Sequence, residues 1–288
     1  FVARGLGGTS AALNWSLGAA ALFCLAQPFV LSGLRPGLLV IPYELSPLPY
    51  SWEVLKLGAL ALGPPLLCAG LVFPLLILRA APSASNEFGS RIGLLLAMNG
   101  LGGWLGAEIT QSWIAPACGL WRSVVIVAAG YFCLGVASAT QATRSETRPP
   151  LWRSIFFVLG PLALAGAWTA AGSLPQVSLS SGKRLVALGV GLEGVVATLS
   201  LETNDWRIQF NNTYTLGGSK AQMNQERQGH LPVLLHGRAQ SVALLGVATG
   251  STTAGVALHS EVERIDAIEL SRIVLRFAEN HFAPFNRS

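Results

Sequence analysis

The sequence predicts a multi-span α-helical membrane region followed by an α/β domain that holds a nucleotide-like ligand. Three observations carry this expectation. Hydrophobic residues make up 51% of the 288 and charged residues only 11%, against about 25% charged in an ordinary soluble domain, too few to solvate the whole surface. Residues 11–31 and 57–78 contain no charged side chain, and each run is long enough as a helix to cross a hydrocarbon layer of about 30 Å. After Gly182 the charges return, and an apolar run opens into a glycine-rich turn.

Three further apolar segments, 92–115, 123–140 and 155–172, bring the expected number of spans to five. Neither of the first two runs, 11–31 and 57–78, has the polar stripe that a buried helix of a soluble protein keeps. The chain begins at Phe1 without a charged start and small-residue cleavage pattern, so it reads as a fragment with spans upstream. The expected layout is residues 1–172 transmembrane, 173–188 linker, 189–218 a β-meander, and 219–288 the first half of a nucleotide-binding α/β domain. The localisation that follows is a multi-pass protein of the cell membrane, with the lipid bilayer as its first partner.

Residues 32–52 carry Pro36, Pro42, Pro47 and Pro49 together with Tyr43, Tyr50 and Trp52, amphipathic rings suited to headgroup level, and predict an interfacial loop. The net charge of +5 is concentrated at span connections, at Arg79, Arg91, Arg144, Arg148 and Arg153. That distribution signals membrane orientation rather than nucleic-acid binding, and it places segments 81–90 and 141–150 in the cytoplasm. Cys24, Cys68, Cys118 and Cys133 lie in or beside apolar segments without C-x-x-C spacing; they read as packing residues, and neither a disulfide framework nor a metal site is expected.

The third span contains Asn99-Gly100-Leu101-Gly102-Gly103-Trp104-Leu105-Gly106, whose Gly102-x-x-x-Gly106 spacing lets another helix backbone approach closely. Glu108 follows one turn after Trp104. A carboxylate deep in a bilayer costs about 2.5–3.5 kcal/mol on insertion scales, so Glu108 is a transport-pathway candidate; near the helix end it would be an interfacial residue.

Beyond the Ser, Pro and Gly-rich linker, Val195, Ala197, Leu199 and Leu201 alternate with more polar neighbours, and residues 206–210 run to an Asn211-Asn212 turn. These predict an antiparallel meander ending at Gly217-Gly218. Residues 220–235 predict a helix stopped by His236-Gly237. On it Glu226 and His230 are spaced i, i+4 and share a face, either orienting a substrate or pairing at the surface. His236, His259 and His281 have no ligand-like spacing and read as structural.

Ser241-Val242-Ala243-Leu244-Leu245 predicts a buried strand that opens into Gly246-Val247-Ala248-Thr249-Gly250 and a helix start. Glycines at 246 and 250 allow a tight turn and close ligand approach, and N–H groups at the helix start favour an anionic or polar ligand. A second strand over 262–268 ends at Glu269, where a nucleotide-binding unit places an acid on ribose hydroxyls. A last helix has Ser271 as its cap and Ile273, Val274, Phe277 and Ala278 on one face, with a stop near Pro284.

From Leu192 onward, the succession Glu193-Gly194, Gln225-Glu226-x-x-x-His230-Leu231-Pro232-x-Leu234-Leu235-His236, Leu245-Gly246-x-x-Thr249-Gly250 and Ile268-Glu269-Leu270 resembles spermidine synthases. It is most similar to their membrane-fused relatives, in which multi-span segments, some related to major-facilitator transporters, precede an aminopropyltransferase-like domain. The resemblance implies a Rossmann-like, methyltransferase-type fold. It also implies decarboxylated S-adenosylmethionine, or S-adenosylmethionine, as cosubstrate without a metal, and a polyamine as a further small-molecule partner. By the same resemblance Gly246, Ala248, Thr249 and Gly250 line the nucleoside and Glu269 binds its ribose, with Gln225, Glu226 and His230 as substrate-side candidates. The family has an Asp where this chain has Thr249, a Tyr-His pair where it has Asn224-Gln225, a Gln at the position of Thr198 and a Gly at that of Ala248. Its catalytic Asp lies on a later strand than the chain reaches, so no catalytic residue is named. The alternatives are a transporter whose soluble domain senses a nucleoside or polyamine, and a methyltransferase-like enzyme.

The orientation and the ligand conflict. Five spans with both arginine-flanked loops inside place the α/β domain on the opposite face, where adenosylmethionine derivatives are not expected, unless the spans number other than five, Lys183 and Arg184 mark the inside, or the domain is not an adenosylmethionine enzyme.

Overall fold

The computed structural model describes residues 8–38, 41, 46–80, 88–142, 151–179 and 181–286. The chain divides into two compact units, with the boundary between Pro175 and Gln176.

The first unit is helical. Helix α1 (Thr9–Leu34) carries no charged residue and buries Ala12, Leu13, Leu17, Ala20 and Ala21. Small residues on this face let neighbours come close: the Leu17 side chain lies against Gly135 of α5 (Leu120–Ala142), and Leu75 of α3 (Gly63–Ala80) joins Leu13 and Leu17 in one cluster. Among the described residues three helical stretches are each long and apolar enough to cross a membrane, Thr9–Leu34, Gly89–Cys118 and Leu120–Thr140, with a bent helix pair as a fourth. This is the architecture of a multi-pass membrane protein.

The second expected span, 57–78, is not one straight helix. Helix α2 (Pro47–Ala61) and α3 meet at a 56° bend, where Gly63 is followed by Pro64 and Pro65. Each proline lacks an N–H and its ring obstructs the preceding turn, so the axis breaks there. The expected loop over 32–52 is likewise shortened from both sides: α1 runs to Leu34 and α2 starts at Pro47, a favourable first-turn position for proline. Tyr50 and Trp52 thus stand on the first turns of a helix, exposed. Helix α4 (Phe88–Ile109) continues through a π turn at Thr110–Ile114 into Ala115–Cys118. Helix α6 spans Leu151–Ser173, and it is apolar over Val158–Ser173, the part whose side chains are described. The arginines at 144 and 148 fall outside the described residues.

The second unit begins with a four-stranded antiparallel meander, β1 (Lys183–Gly191), β2 (Gly194–Leu201), β3 (Trp206–Phe210) and β4 (Tyr214–Gly218), in sequential order. Strand β1 lies partly in the stretch whose composition reads as linker. Asn211 and Asn212 both take left-handed backbone at the β3–β4 turn, which Asn tolerates better than other side-chain-bearing residues. The alternation of β2 serves two faces: Val196 packs with Ile208 on one, Ala197 and Leu199 with Val177 on the other.

A βαβ unit follows helix α7 (Gln222–His236): β5 (Ser241–Leu245), α8 (Ser251–Ala257) and β6 (Arg264–Ile268). The strands pair in parallel from Ser241↔Arg264 to Leu245↔Ile268. Val242, Leu244 and Ile265 pack with Val233 and Val256 on the helix side. Helix α9 is described over Arg272–Asn286, to two residues beyond Pro284, and Val274, Phe277 and Phe282 complete the core with Val196 and Ile208. The unit is a mixed α/β domain.

Candidate functional site

The turn after β5 takes its shape from three left-handed positions, Gly246 (φ 96°), Ala248 (φ 50°) and Gly250 (φ 83°). Glycine adopts this backbone freely; at Ala248 the Cβ costs about 1 kcal/mol. The turn ends at α8, where Ala254 N–H donates to the Gly250 carbonyl.

Glu269, at the end of β6, reaches back to this turn. Its Oε2 accepts from the backbone N–H of Val247 at 2.9 Å and of Ala248 at 3.3 Å, and its Oε1 accepts from Ser271 N–H at 3.0 Å. Burial pushes the carboxyl up, but the N–H groups of Ser271, Val247, Ala248 and Leu270 outweigh burial and hold it below the usual carboxylate value. A carboxylate offers about four lone-pair directions, and these three hydrogen bonds take most of them. The glycine loop and the acid expected to act on a ligand are thus fastened to each other.

Thr249 faces inward and is 1% exposed. Its hydroxyl donates to Gln225 Oε1 at 2.9 Å and lies 3.1 Å from Ser251 Oγ. The Cβ-less backbone of Gly217, near the end of the meander, leaves room for both Gln225 and Thr249. Three separate parts of the unit therefore meet in a neutral, hydroxyl-and-amide cluster. Asn286 closes the other side of the turn, donating through Nδ2 to the Thr249 carbonyl at 3.0 Å. Next to it a cleft of 460 Å³ opens between α8, β6 and α9, lined mainly by Val247, Ala254, Ala257 and Leu275 with Glu279 and Asn286 among its polar groups.

Glu226 and His230 go to different partners. Glu226 Oε1 accepts from Gln222 Nε2 at 2.8 Å. His230 Nδ1 lies 2.9 Å from His259 Nε2, and His259 Nδ1 lies 3.4 Å from Glu261 Oε1, a chain that ties α7 to the connection between α8 and β6. No spacing pattern relates residues 230 and 259, and only the fold brings them together. Asp205 is a second unanticipated node: buried, it accepts from Arg207 Nε, Ser219 Oγ and Lys220 N–H and fastens the meander to the start of α7. Thr198 is fully buried, and its hydroxyl has no partner among the described residues.

In the membrane unit, Glu108 Oε1 accepts a 2.6 Å hydrogen bond from Ser112 Oγ. The glycine face of α4 carries no neighbour: nothing described lies within 4 Å of where a Cβ would stand at Gly100, Gly102, Gly103 or Gly106. The four cysteines are free thiols, and among the described residues no group of three His, Cys, Asp or Glu side chains could hold a metal ion.

No family model, curated protein or solved structure matches the chain.

Proposed function

We propose that the second unit binds the nucleoside of decarboxylated S-adenosylmethionine or S-adenosylmethionine at the turn 246–250, and that the whole chain is a membrane-tethered transferase of the aminopropyltransferase type. One observation supports the reading above the others: the parallel β5–α8–β6 unit brings the Glu269 carboxylate within 3.3 Å of the glycine-turn N–H groups. An adenosine ligand needs that pair together, an acid for ribose hydroxyls beside a close-approach turn.

Three hydrogen bonds already take most of the Glu269 carboxylate, so a pair of ribose hydroxyls binding there would displace at least one of them. The 3.3 Å bond from Ala248 is the longest of those measured and is the one that gives way. In the transfer itself, an amine nitrogen would attack the aminopropyl carbon next to the sulfonium. The C–S bond breaks towards sulfur, methylthioadenosine leaves, and the ammonium product releases its proton to a base. Calorimetry on the intact chain in detergent should record binding of decarboxylated S-adenosylmethionine that Glu269→Gln weakens. Absence of binding, or unchanged affinity in the variant, rejects the reading.

The neutral Thr249–Gln225 cluster favours a second reading, a domain that senses the nucleoside without turnover, because a polyammonium acceptor requires carboxylates. Incubation with putrescine separates the two: methylthioadenosine release supports transfer, and binding without release supports sensing.

A further inference from the structure

Helix α7 is apolar on two opposite sides. On one side Gly229 and Val233 are buried, Gly229 against the Thr252 carbonyl of α8 and Val233 in a cluster with Val256. With a turn of about 100° per residue, the opposite side presents Met223, Leu231, Leu234 and Leu235 within an arc of about 120°. All four are exposed, at 64%, 59%, 64% and 79%. A helix at the surface of a domain bathed in water turns a polar side outwards. Here three leucines and a methionine stand where that polar side belongs, and a contiguous apolar face of this kind marks a contact surface.

Two features identify what meets it. The first unit holds the chain in a bilayer, so a lipid surface is tethered to the second unit at high effective concentration. The charge on the outer side of α7 is also of one sign. Arg227 lies on the same arc as Met223 and Leu231, Arg238 follows the glycine stop at Gly237, and both are exposed. Glu226 is turned off this face, half-buried and accepting from Gln222 Nε2. Leucines rimmed by arginines match the acyl boundary and anionic headgroups of a bilayer surface. Another exposed apolar group of the unit, Leu245, Ile268 and Leu270, flanks the Glu269 carboxylate, which an anionic surface repels.

We propose that α7 is an interfacial helix that lies on the bilayer, with Met223, Leu231, Leu234 and Leu235 entering the acyl boundary and Arg227 and Arg238 at anionic headgroups. The contact is independent of any nucleoside site.

The test uses the full chain in phosphatidylcholine nanodiscs, with and without phosphatidylglycerol, containing a phospholipid whose acyl chain carries a photoactivated diazirine. Labelled peptides are read by mass spectrometry. The expected result is label on residues 223–235 as well as on the spans, about fivefold stronger with phosphatidylglycerol at low salt and returned to the phosphatidylcholine level by high salt. Leu234→Ser combined with Leu235→Ser should remove most of the label from α7. Arg227→Gln combined with Arg238→Gln should abolish its dependence on phosphatidylglycerol. All four side chains are exposed, and hydrogen exchange in β5 and α8 checks that both variants keep the fold. Label confined to the first unit, label on α7 that the serine variant retains, or a phosphatidylglycerol effect that the glutamine variant retains overturns the proposal. Label on α7 that falls when two chains share a disc assigns the face to a second copy and overturns it as well.

Discussion

Glycine serves opposite purposes in α7–α8 and in α4. Gly229 and Gly255 sit where α7 and α8 cross, and a methyl group on either would run into backbone of the other helix, at Thr252 and at Glu226. In α4, Gly100, Gly102, Gly103 and Gly106 have open space around them among the described residues. A helical glycine costs about 1 kcal/mol relative to alanine. In the first case the cost is offset by close packing; in the second nothing described offsets it. A glycine count therefore says little until the neighbour of each glycine is known.

The largest effect should come from breaking the α7–α8 crossing. Gly255→Ala places its methyl against the Glu226 main chain, which cannot rotate away as a side chain could, and overpacking of this kind costs about 3 kcal/mol. Hydrogen exchange on the intact chain in micelles should show faster exchange across α7 and α8, while α1 and α5 stay protected. Unaltered protection in α7 would mean that the crossing is looser than the structure has it.

Next in size is Glu269→Gln, which replaces charge-assisted bonds by neutral ones and leaves a donor amide facing N–H groups. About 1–2 kcal/mol is expected, reduced by the partial exposure of the group. The pH dependence has a definite sign. The folded carboxyl lies below its ordinary value, so its contribution is complete above about pH 4.5 and is lost as the pH falls through the lower folded value. Acid titration of local exchange at residues 246–250 should therefore show a decline in the natural protein that the Gln variant lacks.

These two sites also show how far the amino-acid pattern reaches. The apolar runs of α1 and α5 are legible because a bilayer demands length and lack of charge, both written locally. Strand β5 and the turn at Gly246 are legible for the same reason, since an apolar run, glycine and a helix start are short-range features, but the burial expected of β5 is not found, its Leu245 being 86% exposed. The bend at Gly63-Pro64-Pro65 was also present locally, but the uninterrupted apolarity of 57–78 masks it. What the pattern did not reveal is who meets whom. Thr249 with Gln225, His230 with His259, and Asn286 with the Thr249 carbonyl join residues 24, 29 and 37 positions apart, and side-chain type alone does not encode such pairings. Glu269 was legible as a position. Its hydrogen bonds from the loop N–H groups of Val247 and Ala248 were not, because they depend on the three-dimensional return of β6 to the turn.

A smaller change tests the turn directly. Ala248 holds a left-handed backbone at φ 50°, so Ala248→Gly relieves about 1 kcal/mol of steric cost while adding about 0.4–1 kcal/mol of unfolded-chain entropy. The net effect on stability is near zero, and this is the useful part: any change in nucleoside affinity measured with this variant reports the methyl group itself. Tighter binding with unchanged exchange protection identifies Ala248 as the residue that narrows the turn.

In α4 the effect is also small, at most about 1 kcal/mol, and its sign decides the comparison. If the glycines of α4 face lipid, Gly103→Ala gains helix propensity and stabilises the span by up to about 1 kcal/mol. If another helix backbone lies against them in the assembled protein, the added methyl enters that contact and the sign reverses. Unfolding of the reconstituted chain from mixed micelles by dodecyl sulfate measures the difference, and the same substitution at Gly93, which also has open space among the described residues, supplies the reference for propensity alone. A loss at Gly103 beside a gain at Gly93 would show that the Gly100–Gly106 face is covered by a helix as closely as α7 is by α8; equal gains would leave α4 to the lipid.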